Sequence, residues 1–189
     1  MKLGQKNNVV ELYDHQIEWE KLAEEKMEYF KNIFGEIIID IQHIGSTSIK
    51  SIKAKPIIDI VIGINNFNDL DNIMNIMENN GIKHSLKNDL PEFRMFVIWK
   101  DIENEILTHI IHLVKHNGEE WNNKINFRDY MNNNKEEAKE YEKLKIKLME
   151  ENSENHINYH KNKEPFIKEK IIKANEWKSN LVKNGKTCT

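Results

Sequence analysis

Two short stretches carry the residue types best suited to chemistry: His43-Ile44-Gly45-Ser46-Thr47-Ser48 and Lys55-Pro56-Ile57-Ile58-Asp59-Ile60-Val61. The first reads as a small, hydroxyl-rich turn at the end of an apolar strand. Gly45 lets backbone approach phosphate closely, and main-chain N–H groups with the hydroxyls of Ser46, Thr47 and Ser48 can donate to its oxygens. The second stretch buries one acid in an apolar run, which is costly unless Asp59 meets a hydrogen-bond donor or a cation. A glycine turn followed by a strand-borne acid suits a nucleoside triphosphate held beside a divalent ion. Lys55, four residues before Asp59, reads either as its neutralising partner or as a phosphate contact.

Each of these residues also has a plainer reading. Gly, Ser and Thr are ordinary turn residues, and the turn matches neither the Walker A pattern nor the dinucleotide-binding glycine pattern. Asp59 could cap a strand end through backbone amides. Period-two alternation places Ile57, Asp59 and Val61 on one strand face and Ile58, Ile60 and Ile62 on the other, so the position able to share a metal with Asp59 holds a valine. His109 and His112 are three apart on a predicted strand, so they face opposite ways and are not a metal pair. Alone, His112 reads as a hydrogen-bonded core or surface histidine. His43 has the same standing, but it immediately precedes the glycine turn.

Arginine occurs only at Arg94 and Arg128 in a chain rich in Lys, Asn and Ile. Because a planar bidentate donor is not replaced by lysine, Arg128 in Phe127-Arg128-Asp129-Tyr130 draws notice, either as a phosphate contact or as half of a local pair with Asp129. Tyr159 and Lys163 are four apart, the spacing of one helix face.

The elements that must position these residues follow from periodicity. Trp19, Leu22, Ala23, Met27, Phe30 and Phe34 recur at helical spacing and stop at Gly35. Ile37 to Ile44 and Pro56 to Ile64 read as buried strands. Leu70, Ile73, Met74 and Met77 form a second helical stripe ending near Asn80-Gly81. A hairpin-like pair follows, Phe93 to Trp99 and Ile106 to Val114. Beyond Trp121 the pattern is helical, with Asn134 and Glu137 spaced as a capping pair. A last helix is expected to begin near Pro165. Residues 1–118 form an α/β half bearing the candidate site, and residues 119–189 a helical extension packed on it within one structural domain.

Composition bounds the setting. With 189 residues the chain supports one sizeable core. Its 28 basic and 31 acidic residues give a net charge of −3, so no global field indicates nucleic acid or an anionic membrane, although local patches are not excluded. Cys188, the single cysteine, allows neither an internal disulfide nor a cysteine-based zinc site. No charged leader with an apolar core is present, and no apolar run approaches the ~20 residues that span a bilayer. A cytoplasmic, soluble protein is expected.

Taken together, these residues resemble the GrpB-like family of the nucleotidyltransferase fold. The matching elements are Trp19, the turn from His43 to Ser48, the stretch from Lys55 to Ile60, His112, Phe127-Arg128-Asp129-Tyr130, Tyr141 with Leu144-Lys145, and Tyr159 with Lys163, Phe166 and Ile167. The resemblance implies an α/β (α+β) nucleotidyltransferase-like core, a short mixed sheet flanked by helices, with a C-terminal helical extension. In active members of the wider superfamily two acids on one strand and a third on its neighbour bind magnesium around a triphosphate. Asp59 matches the first acid, Val61 replaces the second, and His112 is the retained histidine of the neighbouring strand.

The leading expectation is therefore a transferase that binds a nucleoside triphosphate, ATP first, and passes a nucleotidyl group to an unknown acceptor. Gly45, Ser46, Thr47, Ser48, Lys55, Arg128 and Lys163 would contact the phosphates. Asp59 and His112 would bind Mg²⁺ or Mn²⁺, and Asp59, His112 and His43 would serve catalysis. The alternatives are a non-catalytic nucleotide- or partner-binding module, supported by Val61, and a metal-dependent phosphotransferase or hydrolase using His43 and His112. The transferase reading predicts that His43, Ser46, Asp59 and His112 converge on one cleft and that the helical half covers it.

Overall fold

Of the two β-branched runs, the second becomes a central strand and the first a half-buried edge strand of a mixed sheet in the computed structural model, which describes residues 1–86, 89–153 and 155–185. Cys188 lies outside the described residues. In chain order the elements are β1 (Gln5–Lys6), α1 (Glu18–Phe34), β2 (Ile38–Ile44), β3 (Ile58–Ile64), α2 (Leu70–Asn79), β4 (Lys83–His84), β5 (Phe93–Asp101) and β6 (Ile106–Lys115). The helices α3 (Glu119–Asn133), α4 (Lys135–Asn152) and α5 (His156–Lys183) complete the chain. The strand order is β2-β3-β6-β5-β4, with β1 also paired to β6. Among the described residues only the β3–β6 pair is parallel.

Period-two alternation gives the sheet two different faces. One is aliphatic: Ile58, Ile60, Ile62 and Ile64 of β3 join Ile41, Phe96, Ile111 and Leu113 under α1 and α2, which bury Ala23, Phe30, Ile73 and Met77 against them. On the other face Ile44, Val61, Phe93 and Val114 meet Trp121 of α3. Asp59 and His112 share that second face, since Ile44 pairs with Asp59 and Val61 with His112. The expected placement of Asp59 with Val61, and of His109 opposite His112, matches this register. His109 pairs with Ile58 on the aliphatic face, and burial lowers its pKa to about 4.

Helices α3, α4 and α5 build a separate apolar cluster from Tyr130, Met131, Ala138, Tyr141 and Ala174, into which Ile49 and Ile52 of the loop before β3 insert. Lys170 is buried in the bundle and pairs with Glu137 and Glu140, which hold its ammonium protonated against the cost of burial.

Two expected boundaries differ. The last helix starts at His156 rather than near Pro165, which lies inside α5. Asn155 sets the start: its side-chain oxygen accepts from Asn158 N at 3.0 Å, the N-cap geometry. Asn134 and Glu137 form no capping box. Asn134 Nδ2 donates back to Tyr130 O, and Glu137 instead accepts from Tyr130 Oη and Lys170 Nζ.

Candidate functional site

Between the Asp59 face of the sheet and the helical half lies a cavity of about 350 Å³. The turn supplies Gly45 and Ser46, the loop before β3 supplies Lys55, β3 supplies Asp59 and β6 supplies His112. Helices α3 to α5 close the far side with Phe127, Tyr141, His160, Lys163 and Ile167. The helical half thus covers the cleft, and Ser46, Asp59, Lys55, Lys163 and His112 converge there.

Four residues of the expected set, His43, Thr47, Ser48 and Arg128, do not. His43 pairs with Ile60, which turns its side chain to the aliphatic face beside α1; there Nε2 lies 2.9 Å from Thr47 Oγ1, and burial lowers its pKa to about 4. Thr47 is fully buried and donates to Ile57 O, and Ser48 Oγ donates to Gly45 O at 2.7 Å. Both hydroxyls therefore fasten the turn from within. The single-residue alternation of β2 and the tight 3-10 turn Ser46–Ser48 explain why neighbours in sequence part company here.

Arg128 also lies outside the cavity. Its Nε and Nη2 engage Asp129 Oδ1 at 2.9 and 2.7 Å, while Nη1 donates to Gln42 Oε1 and His43 O at 3.0 and 2.9 Å. The guanidinium fork thereby ties α3 to β2, the local-pair reading of the sequence. Arg128→Lys is expected to lower unfolding free energy by about 1–2 kcal/mol, because one ammonium cannot serve these acceptors together. Urea denaturation reads that loss, and an unchanged ATP titration would accompany it. Weakened ATP binding at full stability would instead return the guanidinium to the phosphates.

Gly45 has φ +74°, and the Asp59 side chain packs directly over it. The glycine is required by both its conformation and that contact. Asp59 Oδ1 lies 3.4 Å from His112 Nε2. Burial lowers the His112 pKa, opposed by the hydrogen bond to Asp59, so the neutral imidazole donates from Nε2. His112 Nδ1 is buried without a partner among the described residues. The histidine therefore orients Asp59, while the carboxylate faces the cavity.

A two-ion centre does not fit these donors. Val61, where a second acid would stand, is fully buried against Ile44, Phe93, Val114 and Trp121. Among the described residues no group of three or more His, Cys, Asp and Glu is placed to hold a metal ion. The other acidic and basic residues lining the cavity are Lys55, Lys124, Lys163 and Glu164, a set of net positive charge suited to an anion.

Lys55 Nζ is 3.0 Å from His160 Nε2, and burial, with the nearby Lys163 charge, lowers its pKa to about 8. Burial and the flanking ammonium groups of Lys55 and Lys163 keep His160 neutral. His160 was not singled out from the sequence. Three before Lys163, it falls on the same helical face, but a lone histidine there makes no pattern.

The sheet order, the Gly-Ser turn ahead of an acid-bearing strand and the helices on both faces define an α/β protein with a nucleotidyltransferase-like core and a C-terminal helical extension. The chain belongs to the GrpB family: the family model described as GrpB protein matches residues 9–173. It is 37% identical over 168 residues to glutamate-rich protein GrpB of Alkalihalophilus pseudofirmus, covering 88% of this chain and 97% of that protein. Against UPF0157 protein YqkA of Bacillus subtilis it is 31% identical, over 89% of this chain and 48% of the relative. The crystal structure of conserved protein GrpB from Enterococcus faecalis superposes with a TM-score of 0.78 at 27% identity, covering 87% of this chain and 96% of that one. Among the described residues no helix is long and apolar enough to cross a membrane.

Proposed function

We propose that the cavity binds a nucleoside triphosphate, ATP being the first to try, and supports transfer of its nucleotidyl group to an acceptor. The observation that carries this reading is the meeting of Ser46, Lys55, Lys163 and Asp59 beside an apolar wall of Phe127, Ile167 and Ile171. The lysines and the serine suit the phosphates; the apolar wall suits a base and sugar. Asp59, oriented by His112, is the group available to take a proton from an acceptor hydroxyl. Any Mg²⁺ or Mn²⁺ would arrive chelated by the triphosphate, with Asp59 as its protein ligand.

Calorimetric titration with ATP, with and without Mg²⁺ or Mn²⁺, tests the reading in wild type and Asp59→Asn. Without metal, the carboxylate repels phosphate, so the variant should bind ATP at least as well as wild type. With metal, wild type should tighten about tenfold or more, roughly 1.4 kcal/mol, and the variant should lose that gain. Absence of ATP binding by wild type, or equal metal dependence in both proteins, would sink the transferase reading. A non-catalytic module of the same fold would then be the better account, as the buried Val61 favours. Release of phosphate rather than pyrophosphate would mark a phosphotransferase or hydrolase.

A further inference from the structure

Lys55 is placed unlike an ordinary structural lysine. Its nitrogen faces the cavity, sits 3.0 Å from a histidine nitrogen and 5.6 Å from the centre of the Tyr159 ring, and has no carboxylate within 4.0 Å among the described residues. Lys163 reaches the same Tyr159 ring, at 5.5 Å, from one turn further along α5. An amine packed in protein beside a second cation, with Asp59 as its charged counterpart in the cavity but no carboxylate in direct contact, is poised to lose its proton and act as a nucleophile. Burial and the Lys163 charge shift the Lys55 pKa downward, opposed by the charge of Asp59.

The cavity also lacks what direct transfer would use. A hydroxyl acceptor needs strong activation before it can attack phosphorus, and the buried Val61 leaves Asp59 as the one carboxylate that the sheet offers for that work; Glu164, also at the cavity, sits on α5 and pairs with Lys168. A neutral amine needs no such activation.

We propose that Lys55 is the covalent nucleophile of a two-step nucleotidyl transfer, attacking the α-phosphorus of the bound nucleoside triphosphate. This rests on the triphosphate reading above. In the first step a P–N bond forms as the bond from the α-phosphorus to the bridging oxygen breaks, and pyrophosphate leaves with that electron pair. The attacking nitrogen keeps one N–H on His160 Nε2, which orients its lone pair, and sheds one proton to solvent as the P–N bond forms. Lys163 neutralises charge gathering on the phosphoryl oxygens. In the second step an acceptor hydroxyl displaces the amine: a P–O bond forms, the P–N bond breaks, and the acceptor's proton, relayed by Asp59, ends on the departing nitrogen.

A covalent first step can be observed without knowing the acceptor. Wild type should exchange labelled pyrophosphate into ATP in its absence. It should also retain label from α-labelled but not γ-labelled ATP after denaturation, in an acid-labile, base-stable linkage on the peptide containing Lys55. Lys55→Arg keeps the charge but cannot present a neutral nitrogen, so exchange and label should fall to background even at ATP concentrations that saturate the variant by calorimetry. Peptide mapping of wild type decides the matter even if that variant folds poorly. If wild type binds ATP yet neither exchanges nor labels, or labels elsewhere, or is labelled from the γ position, Lys55 is not the nucleophile and the triphosphate reading survives. If calorimetry shows no ATP binding, both fall together.

Discussion

Gly45→Ala should lower the unfolding free energy by about 3 kcal/mol or more, one of the largest losses expected from a single methyl group in this chain. Two costs combine. An L-residue at φ +74° carries about 1–3 kcal/mol of backbone strain. The added methyl carbon would also stand 2.7 Å from Asp59 Cγ and 2.8 Å from Asp59 Cβ, so the carboxylate has to move. Gly81 supplies the control. Its φ is +70° with nothing within 4 Å of an added Cβ, so Gly81→Ala pays the strain alone, about 1–2 kcal/mol. Urea denaturation of the two variants separates the terms, and Asp59→Gly in the Gly45→Ala background should recover the steric share. Equal losses at the two glycines would show that Asp59 does not press on the turn.

Val61→Asp, the substitution that would restore a second acid beside Asp59, is expected to destabilise the fold by about 3–5 kcal/mol, because it places an unpaired charge among Ile44, Phe93, Val114 and Trp121. Its pH dependence has a definite sign. Burial raises the folded-state pKa of the new carboxyl above the unfolded value near 3.9, so ionisation favours the unfolded chain. The deficit against wild type should therefore be smaller at pH 4.5 than at pH 8 and should grow as pH rises between them. Chemical denaturation at both values checks it. A Val61→Asp protein as stable as wild type at pH 8, or one that gains a divalent-ion site, would mean that the valine merely occupies an open ligand position.

The strands and the faces of Asp59, Val61, His109 and His112 were legible because alternation along a strand fixes them from the strand alone. His43 was not, since its face depends on how β2 registers against β3, and the 3-10 turn sets that phase so that Ile44, not His43, opposes Asp59. Thr47 and Ser48 look like ligand donors in a sequence because a hydroxyl that fastens its own turn has the same composition as one that greets a phosphate. Arg128 allowed both of its readings until Gln42, 86 positions away, and the His43 carbonyl were seen to complete its hydrogen bonds. Pro165 reads as a helix start, yet the start belongs to Asn155, whose cap lies ten residues earlier. The two-residue strands β1 and β4 are too short to display any period. A single histidine on a helix face, as at 160, carries no pattern of its own; only proximity to Lys55, 105 positions away, gives it meaning.

The parallel pairing of β3 with β6 bears on how the cavity comes into being. Parallel neighbours cannot be joined by a tight turn, and here the chain between them makes α2, β4 and β5 before returning. Asp59 and His112 therefore meet across a separation of 53 residues, and Lys55 meets His160 across 105. Closing such loops costs chain entropy before any contact repays it, so the β5–β6 hairpin and the isolated turns of helix are the cheaper early structures. The floor of the cavity is laid when β6 docks on β3, and its roof only when α5 arrives with Tyr159, His160 and Lys163. A growing chain therefore carries Lys55 and Asp59 long before His160 and Lys163 exist, so binding competence waits for α5 rather than growing by degrees.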